Sequence, residues 1–146
     1  MEQFRKTVEL DPNNRAAHSW AGLAYELRGL EAKATSAYIK ADALAGGSAE
    51  EIQSLNSAAE SDGVRGYWRK RLEMLQERAK REWVPPYDFA SLYVHAGEIG
   101  RAMDMLEAAY QQHAGRLAWI RARGVWQQLR SNPRYESLLR RMRFPE

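Results

Sequence analysis

The spacing of small and aromatic residues between positions 15 and 41 constrains this chain most: Gly22 and Tyr25, then Ala34, Tyr38 and Ala41. Small residues let two helix backbones approach closely, and an aromatic ring fills the hole that a small neighbour leaves. The spacing therefore predicts two antiparallel helices packed as a pair, with Arg28-Gly29 turning the chain between them. In the same frame Phe4 and Pro12 stand where the second helix and closing proline of a preceding pair belong, with Asn13 and Asn14 at the junction. The chain is thus expected to begin inside such a unit, and the pattern points to a scaffold rather than a catalyst.

Apolar residues recur at intervals of three and four from Phe4 to Leu139, and runs of β-branched residues are missing, so the whole chain reads as helical. A first helix over residues 2–10 stops at Asp11-Pro12, because proline cannot continue the hydrogen-bond ladder and biases its predecessor away from helix. Asn14 can cap a second helix running to Leu27, with Trp20, Leu23, Ala24 and Leu27 as its core-facing stripe. A third helix spans residues 31–44 and breaks at Gly46-Gly47-Ser48, where Ser48 and Glu51 have capping-box spacing for a fourth helix closed by Asp62-Gly63. Residues 64–83 form a longer, charged helix with Tyr67, Trp68, Leu72, Leu75 and Ala79 on its apolar side. Pro85-Pro86 starts a sixth helix ended by Gly97, and residues 99–112 a seventh with Ala102, Leu106 and Ala109 inward. Beyond it Trp119, Ile120, Val125, Trp126 and Leu129 imply one or two short helical turns, and Asn132-Pro133 cap a last helix carrying Tyr135, Leu138, Leu139 and Met142.

A length of 146 residues suits a single domain with one sizeable core. Cysteine is absent, which excludes a disulfide framework and thiolate-based zinc sites. The polar start Met-Glu-Gln-Phe-Arg-Lys lacks the apolar centre of a signal peptide, and no stretch approaches the ~18 apolar residues of a membrane span, so a cytoplasmic protein is expected. Charge is unevenly distributed: residues 1–62 carry 6 basic and 10 acidic side chains, net −4, whereas residues 115–146 carry 8 and 2, net +6.

Paired helices with a period near 34 residues resemble the tetratricopeptide repeat. Gly22, Tyr25, Ala34, Tyr38 and Ala41 match its signature; one period on, Asn56, Ala59, Trp68, Leu72 and Leu75 match poorly; a further period on, Ala90, Tyr93, Ala102, Leu106 and Ala109 match well. Trp68 in place of a small residue requires the middle pair to be splayed or shifted. The tail Leu129-Arg-Ser-Asn-Pro-Arg-Tyr-Glu-Ser-Leu-Leu-Arg-Arg-Met142 is similar to the closing segment of repeat regions in bacterial sensory and regulatory proteins. The resemblance implies an all-α fold, a right-handed superhelix of antiparallel helix pairs (an α-solenoid) with a C-terminal helical cap. It divides residues 1–146 into a partial repeat at 2–12, repeats at 13–46, 47–82 (degenerate) and 83–113, and the cap at 114–146. It also implies a place in a larger bacterial regulator whose effector lies outside these residues.

Nothing in the sequence assembles a catalytic site. His18, His95 and His113 fall on separate predicted elements with no paired ligand spacing, so no metal is expected. Gly46-Gly47-Ser48 lacks the lysine and spacing of a phosphate loop and reads as a helix break followed by a cap. Glu50, Glu51, Glu60 and Asp62 suit helix ends and surfaces. No nucleophile, base and orienter converge, and neither an enzyme nor a cofactor is expected. Most of the five tryptophans fall at packing positions, with Trp83, beside Val84-Pro85-Pro86, the one placed to stay partly exposed as a contact anchor.

By the resemblance, the first helix of each pair lines a concave groove that receives a peptide or partner helix. Carried over position by position, the groove residues are Ser19, Leu23, Glu26, Leu27, Gln53, Ser57, Glu60, Tyr87, Ser91, Val94 and His95. Leu23, Ser57 and Ser91 stand where family members that clamp a terminal carboxylate carry asparagines, which argues against a chaperone-tail ligand. Alternatives are a structural spacer, and binding of nucleic acid or an acidic partner through Arg116, Arg121, Arg123, Arg130, Arg134, Arg140, Arg141 and Arg143, although arginines on a terminal helix also suit its dipole. A homodimer through Phe4 and Val8 on the unpaired first helix is a further alternative.

Overall fold

The computed structural model describes residues 6, 10–121 and 124–143; most of the expected first helix, with Phe4 and Val8, lies outside them, as does Arg123. Every regular element among the described residues is helical. They are α1 (Arg15–Glu26), α2 (Glu31–Leu44), α3 (Ala49–Ala79), α4 (Pro86–His95), α5 (Ile99–Gln111), two 3-10 turns (Gly115–Trp119 and Gly124–Leu129) and α6 (Pro133–Arg141). The contacts divide the chain into two compact units, Met1–Arg71 and Leu72–Glu146.

Local chemistry sets the helix boundaries. Asn14 Oδ1 accepts from the Ala17 N–H at 2.9 Å and starts α1. Ser48 and Glu51 form the reciprocal capping box: the Glu51 N–H donates to Ser48 Oγ at 3.2 Å and the Ser48 N–H to Glu51 Oε2 at 2.8 Å. Asn132 Oδ1 accepts from the Arg134 N–H at 2.9 Å and Pro133 takes the first turn of α6. The long charged helix ends at Ala79 rather than at residue 83.

The junctions repeat. Gly29, Gly63 and Gly97, each 34 residues from the next, hold left-handed φ values of +70°, +57° and +76°. After Gly29 the Leu30 N–H returns to the Tyr25 carbonyl at 3.0 Å, and after Gly97 the Glu98 N–H returns to the Tyr93 carbonyl at 2.9 Å, so α1–α2 and α4–α5 close in the same way. The middle junction differs: Asp62 leaves the helical region (φ −145°, ψ 29°) and Gly63 takes ψ −142°, which divides α3 into limbs of residues 49–61 and 64–79.

In the first unit α1 lies on α2 with Gly22 directly under the Tyr38 ring, while Ala17, Ala34 and Ala41 are buried beside them. Trp68 occupies the position that Ala34 and Ala102 hold in the other pairs, and Tyr38 and Tyr67 accommodate it. The three rings form one cluster, Tyr38 stacked on Tyr67 at 5.3 Å and both edge-on to Trp68 at 4.7 and 4.8 Å. In the second unit α4 packs on α5 through Ala90, Val94, Ala102, Leu106 and Ala109. The 3-10 turns and α6 add Ile120, Val125, Trp126, Leu129, Tyr135 and Leu138 to that core.

Candidate interaction surfaces

The face of α1 turned away from α2 is more apolar than a solvated helix face needs to be. The expected core stripe is corrected here: Trp20 is 38% and Leu27 71% exposed, while Leu23 and Ala24 are half-buried. Gly22 sets the phase, because the Tyr38 ring occupies the space a side chain there would need and so fixes which side of α1 meets α2. Leu30, just past the helix end, is 41% exposed. Ser19 is half-buried, its hydroxyl donating to the Arg15 carbonyl of its own helix at 3.2 Å.

Glu26 has an internal task. Its Oε2 accepts from the Tyr38 hydroxyl at 2.7 Å and from Trp68 Nε1–H at 3.2 Å, tying α1 to α2 and to the second limb of α3. Tyr67 donates likewise to Asp42 at 2.6 Å, and Arg71 pairs with the same carboxylate at 3.2 Å. Burial, then the hydrogen bond to the Glu26 carboxylate, holds the Tyr38 phenol above its ordinary range; burial, then the Asp42 charge, does the same for Tyr67.

Gln53, Ser57 and Glu60 share the exposed side of the first limb of α3. Glu60 also borders a cleft of about 500 Å³ between that limb and α2, with Glu31, Ser36, Asn56 and Gly63 around it and Ala32, Ile39 and Ala59 as apolar lining. Glu31, Ser36 and Asn56 have no signal in the sequence as site residues, since they come together only when α2 lies against the limb. The four remaining groove candidates lie in the second unit, where Tyr87 and Val94 are buried and present no surface to a ligand. Tyr87 is covered by Trp126, whose Nε1–H donates to its hydroxyl at 3.3 Å. Ser91 and His95 are half-buried.

No protein-family model, curated protein or solved structure matches this chain.

The arginines of the C-terminal end divide into two sets. Arg116, Arg134 and Arg141 pair with Asp88, Asp104 and Glu107 at 2.5, 2.8 and 2.6 Å, fastening the closing segments to α4 and α5. Arg130, Arg140 and Arg143 are exposed, and none forms an ion pair among the described residues; Arg121 is exposed as well. Trp83 stands 71% exposed after the end of α3, while Trp68 and Trp126 are buried. Among the described residues no group of three or more His, Cys, Asp or Glu could hold a metal ion, and no helix is long and apolar enough to cross a membrane.

Proposed function

We propose that this chain is a non-catalytic protein–protein interaction module of the tetratricopeptide type, its helix pairs stacked as a right-handed superhelix with the C-terminal segment as cap. The left-handed glycines at a period of 34 residues support this reading, as do the matched buried positions Gly22 and Ala90, and Ala34 and Ala102. The observation that carries the function is the apolar face of α1, where Leu27 is 71% exposed next to half-buried Leu23. Such a face receives the apolar side of a peptide or partner helix, and exposed Gln53 and Ser57 on the first limb of α3 remain groove candidates of the same unit. Glu26 supports the fold instead of touching the ligand. With three of the C-terminal arginines engaged by carboxylates of their own unit, nucleic-acid binding is the weaker reading. A setting within a larger bacterial regulator fits the tail sequence.

The test is affinity capture with the purified chain beside Leu27→Glu and Leu23→Glu/Leu27→Glu variants, each checked for helix content by circular dichroism. A protein retained at moderate salt by the parent and lost by both variants supports the α1 face. Retention of the same protein by the folded variants removes that face from the proposal.

A further inference from the structure

The cleft between α2 and the first limb of α3 is richer in acceptors than in donors. Thr35 donates its hydroxyl to the Glu31 and Ala32 carbonyls at 3.1 and 3.2 Å, and Asn56 Nδ2 donates to the Ile52 carbonyl at 3.0 Å. The Thr35 hydroxyl and one Asn56 N–H are thus used within their own helices, which leaves the Ser36 hydroxyl and the second Asn56 N–H as the donors at the cleft. Acceptor capacity remains at the cleft: the carboxylates of Glu31 and Glu60, neither of which forms an ion pair among the described residues, and Asn56 Oδ1. The apolar lining of Ala32, Ile39 and Ala59 suits a methylene stem. A site of this composition calls for a cationic, donor-rich head on an apolar stalk, which describes arginine.

Complementary groups are present on the same chain. Arg140 and Arg143 extend from the last turn of α6 and just beyond it, exposed and without an ion pair among the described residues, while the neighbouring Arg141 is held by Glu107. Residues 1–62 are net −4 and residues 115–146 net +6, and Arg140 and Arg143 are among the arginines there that Asp88, Asp104 and Glu107 do not hold, so the acidic cleft of one copy attracts them from another.

We propose that the cleft lined by Glu31 and Glu60 receives the Arg140–Arg143 end of a second copy of this chain. The two surfaces differ, so copies can add head to tail, or two copies can close with each arginine segment in the other's cleft. It uses neither Leu23 nor Leu27 and stands independently of the α1 face.

Sedimentation velocity of the whole chain over a concentration series tests it. At low salt the average mass should rise with concentration. It should fall back towards the monomer as added salt shortens the screening length from about 30 Å at 0.01 M to about 3 Å at 1 M. Glu31→Gln/Glu60→Gln and Arg140→Gln/Arg143→Gln alter exposed side chains only, and each should weaken self-association roughly two- to thirtyfold. The decisive arm mixes the two variants: the native arginine end of one meets the native cleft of the other, and a 1:1 pair that grows no further is expected. A chain that stays monomeric at every concentration at low salt overturns the proposal, as does association that both variants retain, or failure of the mixed variants to pair where the parent associates. Titration with a labelled oligo-arginine peptide completes the test: saturable binding to a chain that itself remains monomeric overturns the second copy as occupant.

Discussion

Replacing Gly22 by alanine tests whether the α1–α2 contact is as close as the structure places it. In a helix interior the change normally helps, by about 1 kcal/mol, because glycine loses more backbone freedom on folding. Here the added Cβ would lie 2.6 Å from Cδ1 and Cε1 and 2.9 Å from Cγ of Tyr38, well inside contact distance. The ring cannot swing away easily: its hydroxyl is tied to Glu26 at 2.7 Å, one face stacks on Tyr67 at 5.3 Å, and Trp68 meets it edge-on at 4.7 Å. Overpacking at such a site costs about 3 kcal/mol, the upper end of the usual range, leaving a net loss of about 2 kcal/mol after the helix-propensity gain. The second unit supplies the control, since Ala90 and Leu106 occupy the matched positions there and are both fully buried. In a Tyr38→Leu background Gly22→Ala reproduces that combination and should be neutral or stabilising, so the cycle should show a coupling of about 2–3 kcal/mol. Urea unfolding followed by far-UV and near-UV circular dichroism measures all four variants. If Gly22→Ala stabilises the parent by as much as it stabilises the Tyr38→Leu background, the close approach is refuted.

Gly66→Ala should be costlier still, above about 3 kcal/mol, because its Cβ would run into the Ala58 carbonyl, which is backbone and cannot rotate aside; a thermal melt with a smaller shift than Gly22→Ala produces would contradict this. Ser48→Ala removes the acceptor of the α3 capping box and should cost about 1 kcal/mol in urea unfolding, as should Asn132→Ala at α6, whereas Ser48→Asp should be nearly neutral. Alkali gives the sign-dependent test: the Tyr38 and Tyr67 phenols are raised in the folded state, so below the ordinary phenol range near pH 10 their contribution is fully present. As pH rises beyond that range the unfolded chain gives up protons that the folded chain keeps, and stability falls. Tyrosinate absorbance from these two residues should therefore appear together with loss of helical signal, and Tyr38→Phe/Tyr67→Phe should reduce the slope of stability against pH above 10; titration of all seven tyrosines with helix content intact would contradict this.

What the sequence made legible was local. Asn14, the Ser48–Glu51 pair and Asn132 act within three residues, and each caps the helix its residue type and spacing predict. The stripe expected on α1 differs from the observed one for a definite reason: periodicity gives the repeat of apolar residues but not the side that faces inward. On α1 that side is set by Gly22 meeting Tyr38, sixteen positions away, which leaves Leu27 in solvent. The burial of Tyr87 had no local signal either, because its cover, Trp126, lies 39 residues further on in a segment whose 3-10 turns carry no helical period. The acidic cleft joins Glu31 to Glu60 only through the packing of α2 against the first limb of α3.

The places where the middle helix pair departs from the regular spacing are also those where the chain is chemically distinctive. A tryptophan at position 68 cannot nest against a partner backbone as Ala34 and Ala102 do, so it needs ring partners and a hydrogen-bond acceptor. It finds them in Tyr38, Tyr67 and Glu26, and a carboxylate that the repeat register assigns to ligand contact becomes a structural tie. The same pair carries Asn56 where its neighbours carry buried Gly22 and Ala90, so that polar side chain lies exposed at the cleft, and the altered Asp62–Gly63 junction sets Gly63 against the Glu31 carboxylate at its rim. Restoring regularity should therefore undo the site as well as the packing. Asn56→Ala with Trp68→Ala would return both positions to the pattern of the flanking pairs and remove the Nε1–H that Glu26 accepts, leaving that carboxylate its bond from the Tyr38 hydroxyl. If the irregular pair maintains the acidic cleft, this double variant should lose concentration-dependent association while keeping its helix content; association at the parental level would show that the cleft does not depend on the irregular pair.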